Sequence, residues 1–183
     1  MKQRGSPAHH FLWMAASRLI EMSPTPNLSG KSAKNLERIA AQQLRRRLQE
    51  NSTSKQMGFR LLKASRGRVQ LRMKVDSRHL QAHGVVHGGV LAALADTSGG
   101  LATYMACPLG TRVATIEMKI NYLEGVERGS VTSDAKVVRI GRHIAVVDCD
   151  VTDDAGRLVA KALMTFFVGP FAQSSARPTG KKI

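Results

Sequence analysis

Residues 81–96 combine groups capable of acid–base chemistry with an apolar setting. This stretch reads QAHGVVHGGVLAALAD and ends in one carboxylate, Asp96, which directly follows five apolar residues. An ionised carboxylate among apolar groups is unfavourable without a partner, and acids placed in this way are common at catalytic sites. Asp96 is therefore the first candidate for a general base or a nucleophile. As a structural alternative, it could be a buried acid that is hydrogen-bonded to backbone or to Thr97 and Ser98.

Two helices are predicted, one before this motif and one that begins within it. Residues 36–49 place apolar side chains at helical spacing, with Arg45, Arg46 and Arg47 expected on the solvated side. A second helix is predicted from His87 or Gly88 to about Met105. It is apolar nearly all round, so we expect it to be enclosed.

Six strands are predicted around the second helix, at residues 57–64, 68–75, 112–123, 130–140, 143–152 and 157–168. Residues 76–86 are expected to form a loop. Short turns between successive strands favour an antiparallel meander. The expected fold is α+β, with one curved antiparallel sheet wrapped around a single long helix. The domain should span residues 36–169, between a basic extension at 1–35 and a tail at 170–183.

The net charge of +15 belongs mostly to the first part of the chain. Residues 1–75 carry 16 basic and 3 acidic side chains, or +13, and residues 76–183 carry 12 and 10, or +2. Basic residues near the start can meet phosphates or simply aid solubility, but few aromatics argue against a base-stacking platform. Cys107 and Cys149 are expected to be free thiols. With no predicted membrane span or signal peptide, we expect a cytoplasmic protein.

The order of elements and the HGG…D motif together resemble the hotdog-fold acyl-CoA thioesterases, in particular the phenylacetate-pathway (PaaI-like) branch. The resemblance covers about residues 35–169. It rests on an acid nine positions after His87 and an amide, Gln81, six positions before it, with a later strand that reads ATIEMKINYL. It implies an acyl-CoA substrate, no cofactor, no metal and a homo-oligomer, with a dimer of dimers usual for this branch.

The resemblance also implies roles for individual residues. Asp96 would act as general base or nucleophile, and Gly88 would polarise the thioester oxygen through its backbone N–H. Gln81 would orient water or substrate, and His87, followed by Gly88 and Gly89, would lie beside the thioester. Thr115 matches a hydroxyl that places water in some relatives. Many relatives carry a Ser or Thr four residues after the acid, where this chain has Gly100.

The spacing of these residues has a geometric consequence. At 1.5 Å per residue, an acid nine positions after His87 lies about 13 Å along the helix axis. That is too far for Gly88 and Asp96 of one helix to serve the same carbonyl. A site that takes Gly88 and Gln81 from one subunit and Asp96 from another resolves the distance, and the resemblance implies the same arrangement.

Other residues carry weaker signals. Thr115 shares strand parity with Glu117, Lys119 and Asn121, which suggests a polar wall of the site. Arg139, Arg142 and His143 are candidates for contacts with coenzyme phosphates, although solvated side chains are an equally simple interpretation. His79, His83 and His87 stand four apart, a spacing that would suit a metal site only on a continuous helix. Gly84, Val85 and Val86 disfavour such a helix.

Three functions fit the chain at this stage. Acyl-CoA thioesterase is the leading prediction. A non-catalytic hotdog module that senses acyl-CoA is the alternative, but one convincing helix before residue 57 does not supply a DNA-binding unit, and nucleic acid is not expected as a partner. A hotdog dehydratase would need a His–acid pair arranged differently. The acyl group cannot be read from the sequence.

Overall fold

The computed structural model describes residues 41–108 and 111–170, in which the predicted order of elements is confirmed. The helices are α1 at 41–50, α2 at Ser52–Gln56 and α3 at Gly88–Ala106, with a 3-10 turn at Ser77–His79. The strands are β1 at Arg60–Ser65, β2 at Arg68–Lys74, β3 at Thr111–Tyr122, β4 at Ser130–Ile140, β5 at Ile144–Asp153 and β6 at Leu158–Pro170. The predicted extension, the start of the first helix and most of the predicted tail lie outside the described residues.

The six strands form one antiparallel sheet in the order β1-β2-β4-β5-β6-β3. The predicted meander is correct for β4, β5 and β6 but wrong for β3, which pairs with β6 instead of β4. The reason is that β4 lies between β2 and β5, so both of its edges are already paired. Residues 123–129 link β3 to β4 without a tight turn, and Val126 in this link is buried beside the entry to α3.

Helix α3 packs against the sheet through a face that includes Leu94, Ala95 and Ala102, each with no exposed surface. Gly99 lets the helix approach β6 closely, since a Cβ there would lie 2.6 Å from Met164 Cε and 3.0 Å from Phe166 Cζ. The conformational cost of a glycine inside a helix is therefore offset by close packing against two side chains.

The prediction that α3 is enclosed all round is wrong for a single chain. The face opposite the sheet is only half-buried, and it carries Ala92, Ala93, Asp96, Thr97 and Gly100. Its small side chains leave the Asp96 carboxylate accessible from outside. No helix in the described part of the chain is both long and apolar enough to cross a membrane.

Helix α1 is fixed to the domain by Leu44 and Leu48, which are 1% and 5% exposed. The three arginines of this helix are exposed, as predicted, and two of them also make side-chain contacts. Arg46 Nε donates to Glu50 at 2.7 Å, whereas the Arg47 guanidinium lies 4.0 Å from the Tyr104 ring centre and donates to its hydroxyl at 3.0 Å. Arg47 therefore ties α1 to the last turns of α3.

Candidate active site

Asp96 and Thr115 meet directly in the structure. Thr115 Oγ1, from β3, donates a hydrogen bond of 2.7 Å to Asp96 Oδ1 near the middle of α3. Ser98, one of the proposed structural partners of the acid, instead donates to the carbonyl of Ala95 and is fully buried. The carboxylate is thus oriented by a hydroxyl on the neighbouring strand, and no described residue hydrogen-bonds to its second oxygen.

A β-bulge at Ile116 explains how Thr115 reaches the helix. Thr115 pairs with Phe166 of β6, and Glu117 pairs with the next residue, Thr165, so Ile116 is the additional residue. Thr115 therefore faces α3, while Glu117 lies on the outer face and accepts a hydrogen bond from Thr165 Oγ1. The predicted polar row that joined Thr115 to Glu117 is wrong because a bulge shifts the alternation of side chains by one residue.

His87 caps the N-terminus of α3. Its Nδ1 accepts a hydrogen bond of 2.9 Å from the N–H of Gly89, and its carbonyl accepts from the N–H of Val90. Because Nδ1 is an acceptor here, the proton of the neutral imidazole is on Nε2, which faces solvent as a donor. A Cβ at Gly89 would lie 3.1 Å from His87 Nδ1, so this glycine gives the cap room. The N–H of Gly89 is engaged by this cap and is not free for a substrate.

The backbone N–H of Gly88 is the hydrogen-bond donor of this first turn that His87 does not engage. Among the described residues, no acceptor contacts the N–H of Gly88, as expected for the first residue of a helix. The positive end of the helix dipole lies at the same point, and together they favour an oxygen that gains negative charge.

A cavity of about 350 Å³ lies beside Gly88, and its lining includes Val85, Leu91, Tyr122 and Leu123. The Tyr122 ring covers the glycine, since a Cβ at Gly88 would lie 3.1 Å from Tyr122 Cζ. Sequence reasoning missed Tyr122 as a wall of this site. Its position at the end of β3 was the available signal, but only the pairing of β3 with β6 brings it to the start of α3.

Gln81 lies in the loop that leads into α3. Its Oε1 accepts a hydrogen bond of 2.8 Å from the N–H of His83, and its backbone N–H donates to the carbonyl of Val85. Its amide NH₂ donates to no acceptor in the part of the chain that the structure describes. Its predicted role in orienting substrate or water stays a prediction.

The three histidines that stand four apart occupy unrelated positions. His79 is 1% exposed and its Nδ1 accepts from the N–H of Asp76, whereas His83 is exposed on the loop and His87 caps α3. The three side chains thus serve different parts of the loop.

Arg139, Arg142 and His143 are exposed at the β4–β5 end of the sheet. Gly67 lies between this end of β4 and the end of α3. A Cβ placed at Gly67 would lie 3.5 Å from Val137 of β4 and 3.9 Å from Ala106 of α3. The predicted phosphate contacts are therefore grouped near the C-terminal end of the helix, away from Gly88. Within one chain the structure does not bring them to the Gly88 cavity.

Two cysteines lie close to α3. Cys107 directly follows the helix and is half-buried, and burial raises the pKa of its thiol. Cys149 is buried in the core and is not suited to reaction. Its sulfur lies 3.7 Å from Ser98 Oγ in the core. Burial raises the pKa of the Cys149 thiol to about 12, so the thiol stays protonated at neutral pH. This leaves Asp96 as the accessible reactive group of the helix.

Within one chain, the free N–H of Gly88 and the Asp96 carboxylate are separated by eight residues of continuous helix. At 1.5 Å per residue the two lie about 12 Å apart. The arrangement offers an oxyanion donor and an oriented carboxylate, but one chain alone cannot apply both to the same carbonyl.

Comparison with known proteins agrees with this fold. The profile of the thioesterase superfamily matches residues 83–160, which contain both Gly88 and Asp96. A putative esterase of Haemophilus influenzae is 32% identical over 118 residues, which are 64% of this chain and 86% of that protein. The 1,4-dihydroxy-2-naphthoyl-CoA hydrolase of Escherichia coli is 29% identical over 97 residues, 53% of this chain and 71% of the hydrolase.

A solved thioesterase structure from Haemophilus influenzae superposes with a TM-score of 0.69 at 30% identity, over 74% of this chain and 94% of that one. The curved antiparallel sheet around α3 is thus the predicted hotdog fold. The chain belongs to the thioesterase superfamily and is a thioester hydrolase.

Proposed function

We propose that the protein hydrolyses an acyl-CoA thioester to a free carboxylic acid and coenzyme A, at a site built by two copies of the chain. The observation that carries this proposal is the hydrogen bond from Thr115 to Asp96, which presents an oriented carboxylate on the accessible face of α3. The free N–H of Gly88 supplies the complementary donor.

In the simplest mechanism, Asp96 acts as a general base. Its free oxygen takes a proton from water while the water oxygen attacks the thioester carbon, and the negative charge that develops on the carbonyl oxygen is stabilised by the Gly88 N–H. Collapse of the tetrahedral intermediate breaks the C–S bond, and the proton passes to the sulfur of coenzyme A. Alternatively, Asp96 attacks the carbonyl carbon itself, the C–S bond breaks with release of the coenzyme A thiolate, and water then hydrolyses the resulting anhydride.

The second copy is needed because of the distance of about 12 Å between Gly88 and Asp96 of one chain. Two features support such a partner. Asp96 lies on the half-buried face of α3, and β3 is an edge strand of 12 residues whose outer edge is unpaired in the described chain. Gly88 and Gln81 of one subunit then face Asp96 and Thr115 of the other. A dimer of dimers remains a further expectation.

Thiol release from short, medium, long and aryl acyl-CoAs tests the reaction. We expect wild-type turnover on at least one substrate, and a fall of about 10² or more in Asp96→Asn, as for loss of a base or nucleophile. The matched control is Asp150→Asn, which removes a carboxylate of β5 that accepts a hydrogen bond from Lys161 of β6. If the wild type binds acyl-CoA but hydrolyses none, the alternative of a non-catalytic sensor replaces the enzyme.

A complementation experiment tests the shared site. Gly88→Pro removes the donor at a position where proline suits a helix start, and Gly88→Ala, which keeps the N–H beside Tyr122, is its control. Gly88→Pro and Asp96→Asn should each be inactive, whereas subunits mixed at random should regain about a quarter of wild-type activity, since half of the dimers then hold one intact site. No recovery from proven heterodimers would place the whole site within one chain.

We also propose a cytoplasmic location. The supporting observation is that Cys107 and Cys149 are both free thiols. Oxidising compartments favour disulfides in small domains.

A further inference from the structure

A second cavity, of about 560 Å³, opens between α1, α2 and β1. It is lined by three basic side chains from three different elements: Arg45 of α1, Lys55 of α2 and Arg60 of β1. No lining residue is acidic. A cavity of this volume is in the range of small-molecule sites.

These three cations differ from most of the arginines around them. Arg46, Arg68, Arg72 and Arg78 each pair with a carboxylate at hydrogen-bonding distance. Within the described chain, Arg45, Lys55 and Arg60 make no ion pair and no side-chain hydrogen bond. Three like charges that line one cavity without a counter-ion repel one another, so an anion bound in that cavity is attracted by all three.

The floor of the cavity is apolar. Leu48, Phe59 and Leu61 form it, and each is less than 10% exposed. The cavity therefore offers apolar contact below and positive charge at the rim. A ligand that fits both has an apolar body and a strongly charged anionic group.

The cavity is remote from the Asp96–Thr115 pair of the same chain. It lies at β1, one edge of the sheet, whereas Thr115 is on β3, the opposite edge. Five strand spacings separate the two edges, or about 24 Å measured along the sheet. The basic sequence at 1–40, with six basic and two acidic residues, is of the wrong charge to neutralise the rim.

We infer that this cavity is a second binding site, for a phosphate monoester that carries an apolar group. A phosphate bears nearly two negative charges and three acceptor oxygens, which match three cations better than a single carboxylate does. Arg45 and Arg60 add planar guanidinium groups that bond two phosphate oxygens at once. The inference does not depend on the thioesterase reaction.

Calorimetric titration of the full chain with octyl phosphate, inorganic phosphate and octanoate tests this site. Octyl phosphate should bind saturably and about 10-fold or more tighter than either of the others, since only it satisfies both rim and floor. Equal affinity for inorganic phosphate would overturn the role of the apolar floor. Equal affinity for octanoate would overturn the assignment to phosphate.

A pair of neighbouring variants gives the matched control. Arg45→Gln and Arg46→Gln each remove one charge from the exposed surface of α1, but only Arg45 lines the cavity. Arg45→Gln should weaken octyl phosphate binding about 10-fold, the usual loss for one charge-assisted hydrogen bond, and Arg46→Gln should leave it unchanged. Equal losses in the two variants, or no saturable binding by the wild type, would overturn the proposal.

Discussion

The two edge strands of the sheet, β1 and β3, differ in length and in the side chains that they expose. Strand β1 has six residues, is irregular at Leu62, and carries basic side chains at Arg60 and Lys63. Strand β3 has twelve residues and exposes Ile116 and Tyr122, at 55% and 50%. Strand β3 also contains a bulge and exposed charges at Glu117 and Lys119, so the main contrast is length: a six-residue edge offers another chain few backbone groups, and a twelve-residue edge offers many. The β1 edge is thus protected in a single chain, while the β3 edge suits a partner and carries Thr115.

The largest expected effect comes from placing the same charge on each edge. Ile116→Glu adds a second carboxylate beside Glu117 on the proposed contact strand, and should convert the oligomer to a monomer with at least a 10-fold loss of thioesterase activity. Leu62→Glu, at a side chain 48% exposed on the other edge, should change neither. Light scattering and thiol release measure both variants. Dissociation by Leu62→Glu instead would reverse the comparison.

A smaller effect is expected at the hydroxyl that β3 supplies. Thr115→Val keeps the shape of the side chain but removes the hydrogen bond to Asp96, and should lower kcat about 10-fold. Thr115→Ser should restore most of it. Because the substrate is not held by this hydroxyl, KM should change little. A valine variant with wild-type kcat would mean that the acid is oriented by other groups.

The smallest effect concerns the β1 half of the sheet, where Arg68 Nε bonds Asp134 at 2.8 Å. The hydrogen bond from Arg68 is the main cause that lowers the pKa of the Asp134 carboxyl. The stability that the ionised Asp134 carboxylate contributes is therefore fully present above its pKa in the unfolded chain, about 3.9. This contribution is lost as the pH falls through the lower pKa of the folded protein.

Asp134→Asn should lower the free energy of unfolding by about 1 kcal/mol or less at pH 7, and by less at about pH 3, which is below the unfolded pKa. Thermal unfolding at both pH values measures this difference. Glu50→Gln, which breaks the exposed pair with Arg46, should have little effect at either pH. A loss for Asp134→Asn that is the same at both pH values would mean that the ion pair is not its cause.

Local patterns in the sequence were enough to predict the strands and the long helix α3, but the short helix α2 was missed. The boundaries of α3 were predicted to within one residue, because the change from loop to apolar helix at Gly88 is sharp. The pairing of β3 with β6 could not be predicted, since it depends on which edge stays free after β4 has joined β2. The bulge at Ile116 was missed for a related reason: alternation in one strand does not reveal the register of its partner.

For the site as well, local motifs could be predicted from the sequence, whereas contacts between distant side chains could not. Asp96, Gly88 and Thr115 were predicted from motif and resemblance, and Thr115 Oγ1 lies 2.7 Å from Asp96 Oδ1 in the structure. The cap made by His87 and the cover made by Tyr122 were not foreseen. Both depend on side-chain positions at the start of α3, which spacing along the chain does not encode.

The bulge in β3 also bears on how this chain can tolerate insertions and deletions. Ile116 has no partner of its own on β6, so the segments before and after it keep separate registers. Strand β3 can therefore lose this one residue while Thr115 still faces α3 and Glu117 still faces Thr165. A deletion elsewhere between Thr111 and Thr115 has no spare residue to absorb it. Length variation in this strand should thus be concentrated at position 116.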